Sequence, residues 1–261
     1  MNGAALVTGA GKRLGKAMAL YLAGRGLDVA IHYKSSADEA EEVARDIRDM
    51  GRRAAAVQAD LTIEEDMQRL VRDAAAALDQ SLTVLVNSAS VFEYDNIETA
   101  TRNSWDRHLE SNLRAPFVLT QSFASQAPEP EIGGEWNEPT ANALVVNLID
   151  QRVRKPTPEF MTYTIAKMGL WALTQTSAQA LAPKVRVNAI GPGPTVQGTR
   201  QSKSHFERQR SATILKRGAD ADGIVKALGY FMDAPAVTGQ LLCVDGGQHL
   251  AWKTPDVLGV E

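Results

Sequence analysis

Short apolar runs rich in β-branched residues alternate with longer stretches of helical periodicity along most of the chain. The strand-like runs are Ala4-Ala5-Leu6-Val7, Val29 to Tyr33, Arg53 to Gln58, Leu82 to Asn87, Ala143 to Leu148, Val185 to Ile190 and Gln240 to Val244. The helical patterns run from Leu14 to Gly24, Ser36 to Met50, Ile63 to Leu78, Ser104 to Gln126, Phe160 to Leu181 and Ile224 to Met232. This alternation predicts an α/β fold, a doubly wound parallel sheet of about seven strands with helices on both faces. Leu82 to Asn87 is nearly all apolar, as expected of a strand buried on both sides. Ser36 and Glu39 have the spacing of a capping box and predict a helix start. Pro, Glu and Gly crowd Ala127 to Thr140. A linker is the alternative, but strand and helix alternate unchanged beyond it, so the segment is expected to be a surface loop. No internal repeat is present.

Composition narrows the function classes. The 261 residues are 44% hydrophobic and 23% charged, which suits one large globular domain and excludes a disordered or fibrous chain. Lys and Arg number 28 against 31 Asp and Glu, a net charge of −3. A nucleic-acid or membrane-surface protein needs a basic surplus to meet phosphates, so neither partner is expected, although a local basic patch stays open. The single cysteine, Cys243, rules out an internal disulfide and a cysteine metal cluster and fits a reducing compartment. In its apolar strand it reads as packing. His108, His205 and His249 lack ligand spacing, so no metal is expected. The chain enters a strand at once, with no signal peptide and no run of spanning length, so a cytoplasmic location is expected.

Chemistry begins at Thr8-Gly9-Ala10-Gly11-Lys12-Arg13-Leu14-Gly15, between the first strand and the first helix. A tight glycine turn lets backbone N–H groups approach a pyrophosphate, and the helix N-terminus adds partial positive charge. Gly9, Gly11 and Gly15 do not have the Gly-x-Gly-x-x-Gly spacing. At the end of the second strand an NAD enzyme places a carboxylate for the ribose hydroxyl. Here the stretch is His32-Tyr33-Lys34-Ser35-Ser36. Lys34, with His32 and Arg13 nearby, favours a 2′-phosphate and hence NADPH, the plain alternative being a strand that ends in solvent. Tyr163 and Lys167 lie four apart on one helical face. A free tyrosine titrates near pH ~10, so a neighbouring cation is what lets a phenol exchange protons near neutrality.

Together these residues resemble the short-chain dehydrogenase/reductase superfamily from Ala4 to about Leu250, which implies a Rossmann-like single domain. The matching motifs are Thr8 to Gly15, Asn87-Ser88-Ala89-Ser90, Asn112, Tyr163 with Lys167, Gly191-Pro192-Gly193 and Val244-Asp245-Gly246-Gly247. Two departures narrow the resemblance. Arg13 replaces the middle glycine of the first loop, and Asp150 stands where most members carry a catalytic serine. Both resemble the pteridine reductases and dihydromonapterin reductases, as do Asn87 to Phe92 and His32 to Ser35. Asp150 reads independently as poorly suited to a developing oxyanion and better suited to a nitrogen-rich substrate that takes up protons. Its bland alternative is a cap on the next turn.

The resemblance implies NADPH-dependent reduction of a dihydropterin to its tetrahydro form. It places a cofactor half at about 1–150 and a catalytic half at about 143–261. Tyr163 would donate or relay a proton, and Lys167 would hold the nicotinamide ribose and hold down the tyrosine's pKa. Asp150 would bond to Tyr163, and Asn112 would kink its helix and expose a carbonyl. Phe92 would stack on the flat heterocycle, and Ser90 and Arg13 would contact its polar edge and the pyrophosphate. Further cofactor contacts are implied at Gly9, Lys12, Leu14, His32, Tyr33, Lys34, Ser35, Asp60, Leu61, Asn87, Ser88, Ala89, Pro192, Gly193 and Thr195. The superfamily's tetramers imply a homotetramer, with the tail around Trp252 and Val257-Leu258 against a neighbour and Trp171 in the core or a subunit contact. A carbonyl reductase of another small molecule and a non-catalytic NADPH-binding regulator are the rival functions. The basic segment Arg200 to Arg217 reads first as a solvated helix face. If it covers the pocket, Arg208 and Arg210 would favour a substrate with an anionic tail.

Overall fold

The computed structural model describes residues 3–197 and 201–254. Its elements run β1 (Ala4–Val7), α1 (Arg13–Gly24), β2 (Asp28–Tyr33), α2 (Ala37–Asp49), β3 (Ala54–Gln58), α3 (Glu64–Leu78), β4 (Leu82–Asn87) and α4 (Arg102–Leu109). They continue with α5 (Ala115–Gln126), β5 (Glu131–Gly133), β6 (Glu138–Thr140), β7 (Ala143–Leu148), α6 (Met161–Leu181), β8 (Val185–Pro192), α7 (Lys203–Ser211), α8 (Ala221–Asp233) and β9 (Leu241–Val244). Seven strands form one parallel sheet in the order β3-β2-β1-β4-β7-β8-β9. No helix among the described residues is long and apolar enough to cross a membrane.

Alternation along each strand builds two cores. Ala5, Val7, Val84, Val86, Leu144 and Val146 face α1, α2 and α8, where Met18, Leu22, Val43, Ile47 and Phe231 are buried. Ala4, Leu6, Leu85, Ala143 and Val145 face α3, α5 and α6, meeting Met67, Leu70, Leu78, Leu119 and Phe123. A bulge in β4 lets Leu82 and Leu85 share a face: Ala4 pairs with Leu82, yet Ala5 pairs with Val84, so Thr83 is skipped. The strand order reverses between β1 and β4, so the crevice at the carboxyl ends of the strands opens there.

Three local expectations are corrected. Ser36 makes no side-chain cap on α2; Glu39 instead turns to Lys12, 2.6 Å away on the glycine loop. The helix expected over Ser104 to Gln126 is split into α4 and α5 by a wide π-type turn at Glu110–Arg114, which contains Asn112. The loop at 127–140 holds a small antiparallel hairpin, β5 with β6.

Candidate active site

Four loops at the carboxyl ends of β1, β4, β7 and β8 converge on the crevice. The first is the glycine turn. A Cβ at Gly15 would sit 2.2 Å from the Gly9 carbonyl oxygen, and one at Gly9 would sit 3.0 Å from Ala89 Cα, so both positions demand glycine. Arg13 opens α1 at φ 54°, the left-handed conformation that the missing glycine would adopt freely. Its Nη2 donates to the Val196 carbonyl at 2.9 Å, bridging the first loop to the loop after β8. Leu14 packs beneath against the core. The Thr8 hydroxyl, absent from the expected contacts, accepts from the Ser88 and Ala89 N–H groups at 2.9 Å and locks the first loop to the second.

The expected phosphate cations lie differently. His32 is buried, its Nδ1 accepting from the Gly9 N–H at 3.0 Å, so its Nε2 donates to the Ala59 carbonyl at 3.0 Å. Burial pushes its pKa down to about 4, so it is a neutral strut under the glycine loop and not a phosphate cation. Lys34 is exposed but bonded to Asp60 at 2.8 Å, and Lys12 to Glu39. Either ammonium would have to exchange its carboxylate for a phosphate. Tyr33 packs on the core, Ser35 is exposed and Leu61 is buried at the rim of the second core.

Asn87 ends β4 with its amide donating to Asn147 at 2.8 Å while its own Oδ1, fully buried, has no partner among the described residues. Beyond it, Val91 is clamped by Asn112, whose Oδ1 accepts the Val91 N–H and whose Nδ2 donates to the Val91 carbonyl. The wide turn therefore secures the strap that carries Phe92. One face of Phe92 is covered by Phe160, stacked at 4.4 Å and 7°, and its ring meets Tyr163 edge-on at 4.7 Å. A flat ligand must therefore use the other face or displace Phe160. Tyr94 abuts the Phe160 edge, and the Arg152 guanidinium carbon lies 4.9 Å from its ring centre. Periodicity placed Phe160 only at the start of a helix, and nothing in the sequence signalled Tyr94 or Arg152.

The reactive cluster follows β7. Asp150 both caps and bonds: Oδ1 accepts the Arg152 N–H at 2.8 Å, and Oδ2 accepts the Tyr163 hydroxyl at 2.9 Å. Burial raises the Asp150 carboxyl, and the Arg152 N–H and charge oppose that rise. Burial, then the Asp150 charge, pushes the Tyr163 phenol well above its ordinary value; Arg152 and the Ser90 hydroxyl pull it back. The net shift of Tyr163 is thus upward, opposite to the lowering expected from Lys167. Lys167 is buried with its Nζ 2.7 Å from the Leu148 carbonyl, and burial lowers it to about 8.

Pro192 ends β8. The Gly193 N–H donates to Val244, and Thr195 donates to Gly193. A Cβ on Gly193 would strike Asp245 at 2.6 Å. The Arg210 guanidinium donates to the carbonyls of Pro194, Gly218 and Ala219, so it anchors α7 instead of waiting for a ligand. Trp171 packs with Leu170 and Ile149, under the Arg154 guanidinium. Arg200, Val257 and Leu258 lie outside the described residues. Cys243 is half-buried, its thiol pushed up to about 11 by burial. Among the described residues no group of three His, Cys, Asp or Glu side chains could hold a metal ion.

One network outside the expected set stands directly behind Tyr163. Buried Asp95 accepts both the N–H and the hydroxyl of Thr162. His108 accepts the Glu93 N–H at Nε2, so its Nδ1 donates to the Thr162 oxygen at 2.6 Å. The strap and the first turn of α6 are thereby tied together. The signal in the sequence was only a histidine with no partner in view.

Among solved structures, FolM alternative dihydrofolate reductase 1 from Brucella suis, in complex with NADP, is 43% identical with a TM-score of 0.89, covering 97% of this chain and 98% of that one. A short chain dehydrogenase from Burkholderia cenocepacia in complex with NADP is 29% identical with a TM-score of 0.84, covering 94% and 97%. Among curated proteins, 3-oxoacyl-[acyl-carrier-protein] reductase FabG of Staphylococcus epidermidis is 29% identical over 255 residues, 96% of this chain and all of that one. Residues 3–209 match the short chain dehydrogenase family, and with the sheet order and the crevice described above, the chain belongs to it.

Proposed function

We propose that the protein is an NADPH-dependent reductase of a dihydropterin, producing the tetrahydro form. The coarser part, an NADP-dependent short-chain oxidoreductase, is supported by relatives solved with NADP and by a cradle that fits a dinucleotide. Gly9 and Gly15 have no room for side chains, and the orphaned Oδ1 of Asn87 is a buried acceptor awaiting a donor. The first loop would hold the pyrophosphate, Lys34 and Arg13 the phosphate-bearing end, and Tyr163 with Lys167 the nicotinamide ribose. When bound, the nicotinamide supplies a hydride.

The observation that carries the finer reading is the half-buried Asp150–Tyr163 hydrogen bond. Reduction of a ring C=N adds a hydride at carbon and needs a proton at nitrogen. With Asp150 ionised, the Tyr163 proton is committed to the carboxylate. With Asp150 protonated, its proton passes to the Tyr163 oxygen while Tyr163 releases its own to the ring nitrogen. That exchange forms no phenolate, which suits a phenol held well above its ordinary pKa. It consumes a proton from a carboxyl whose own pKa is raised, and solvent replaces it. Phe92 offers the aromatic face for a flat heterocycle. The 43% identity to an alternative dihydrofolate reductase adds support.

The test is loss of NADPH absorbance with dihydrobiopterin, dihydromonapterin and dihydrofolate beside a panel of ketones. Turnover confined to the pterins is expected. Turnover with ketones alone would replace the pterin by a carbonyl substrate, the activity that the 29% identity to an oxoacyl reductase favours. Assembly as a homotetramer is proposed with it, through exposed apolar side chains such as Trp105, Phe117 and Met168. Light scattering gives the mass that decides it.

A further inference from the structure

We propose that Arg152 selects substrates by binding an anionic substituent, a carboxylate, carried beyond the flat ring; the inference rests on the pterin reading above. Arg152 follows the reactive Asp150 by two residues, and its guanidinium lies over the outer ring of the Phe92–Phe160 stack. A ligand that takes the place of Phe160 on Phe92, or whose tail passes the edge of the stack, would bring that tail to this cation.

Its charge is not spent elsewhere. Arg107 and Arg114, on the neighbouring α4 and the wide turn, each hold a glutamate at 2.8 and 2.7 Å. Among the described residues no carboxylate ion-pairs with the Arg152 guanidinium, whose side-chain hydrogen bond runs to the Thr157 hydroxyl at 2.6 Å. Asp150, two residues before it, accepts the Arg152 N–H and the Tyr163 hydroxyl and feels the Arg152 charge without a side-chain ion pair to it. A guanidinium has five N–H donors in a planar fork that fits a carboxylate bidentately, so most of its capacity stays available. Thr157 and the Phe160 ring fix the fork in place and lower the entropy lost on binding. From 150 to 160 the chain carries Arg152, Arg154 and Lys155 against Asp150 and Glu159, a surplus of one positive charge that also attracts an anion.

This reassigns the anionic-tail preference that the sequence suggested for Arg208 and Arg210. Arg210 is committed to three backbone carbonyls, and Arg152 is the half-buried cation beside the reacting pair.

The test compares kcat/KM for dihydrofolate, which carries a glutamate tail, with that for dihydrobiopterin, which has none. Loss of the Arg152 charge also acts on Asp150 and Tyr163, but equally for both substrates, so the ratio of the two values isolates the tail. In Arg152→Leu the ratio is expected to fall about tenfold, the scale of one charge-assisted hydrogen bond near solvent. Arg152→Lys keeps the charge without the fork, and a smaller fall is expected; it carries the test if the leucine variant does not fold. Added salt should raise KM for dihydrofolate in the native protein more than in Arg152→Leu. An unchanged ratio, or reduction of dihydrobiopterin alone by the native protein, overturns this inference and leaves the pterin reading intact. Reduction of neither substrate by the native protein overturns both.

Discussion

The Tyr163 hydroxyl donates to Oδ2 of the half-buried Asp150 at 2.9 Å, and the buried Lys167 ammonium beside the Tyr163 ring is tied to the Leu148 carbonyl. The acid and the phenol therefore act as one proton-handling unit. In Tyr163→Phe, turnover should vanish, at least about a hundredfold, with NADPH binding retained. In Asp150→Ser, pterin reduction should fall by a similar factor because no replacement proton is stored. Steady-state rates and NADPH fluorescence titration check both. Pterin kinetics unchanged in Asp150→Ser would remove the carboxyl from the mechanism.

The same unit fixes a pH dependence. The proposed mechanism requires Asp150 protonated and, to hold a ribose, Lys167 charged. Burial raises the first group and lowers the second to about 8, so each loses its proton as pH rises, Lys167 through about 8. The rate should fall on the alkaline side, starting below pH 8. A profile that rises from pH 7 to 9 would contradict the relay.

His32 gives a stability prediction of definite sign. Its folded pKa is about 4, against an unfolded value near ~6.5, so the unfolded chain binds the extra proton between these values. Its contribution is intact above the unfolded value and lost as pH falls from about 6.5 toward 4. Between pH 7 and 5 the loss should reach about 2 kcal/mol. His32→Asn should be less stable at pH 7 but lack this part of the acid sensitivity. Urea midpoints at the two pH values measure it.

Thr162 stands between two buried titratable groups, Asp95 and His108. In Thr162→Val the shape is kept and the hydroxyl is lost, leaving the carboxylate and the imidazole each short of a partner. A cost of about 3 kcal/mol is expected, because buried groups pay their desolvation without compensation. The strap bearing Phe92 would also loosen against α6, so KM for the pterin should rise in material that is still folded. Chemical denaturation and kinetics on the same preparation separate the two effects.

Periodicity alone carried the sheet, because each strand alternates between two cores and each helix covers one of them. The pairing of Asp150 with Tyr163 was legible because the chain repeats an ordered set of motifs at fixed spacings. What the sequence could not convey was the direction of individual polar groups. His32 looks like a cation beside Lys34, yet the fold turns it inward under Gly9, and burial takes its charge away. Lys34 looks free, yet Asp60 comes within 2.8 Å from the loop after β3. Arg210 shares a basic run with Arg208, but three carbonyls claim it. Phe160 reads as the first apolar residue of a helix, and only the folded chain stacks it on Phe92. These partners lie far apart in sequence, so no local pattern announces them.

Arg13 offers a test in which stability and function should move in opposite directions. It holds φ 54°, a conformation that glycine adopts freely and that costs a side chain about 1–2 kcal/mol. Its hydrogen bond to the Val196 carbonyl is exposed and returns only part of that. Arg13→Gly should therefore stabilise the fold, or leave it unchanged, by up to about 1 kcal/mol, although glycine also frees the unfolded chain. The variant loses the cation that faces the phosphate-bearing cofactor and the link from the glycine loop to the loop after β8. KM for NADPH should rise roughly tenfold, and more so than KM for NADH, since only NADPH has the extra phosphate. Thermal melts and cofactor titrations give both readings. A variant that melts several degrees lower would assign Arg13 to the fold, and an unchanged preference between the two cofactors would remove it from phosphate recognition.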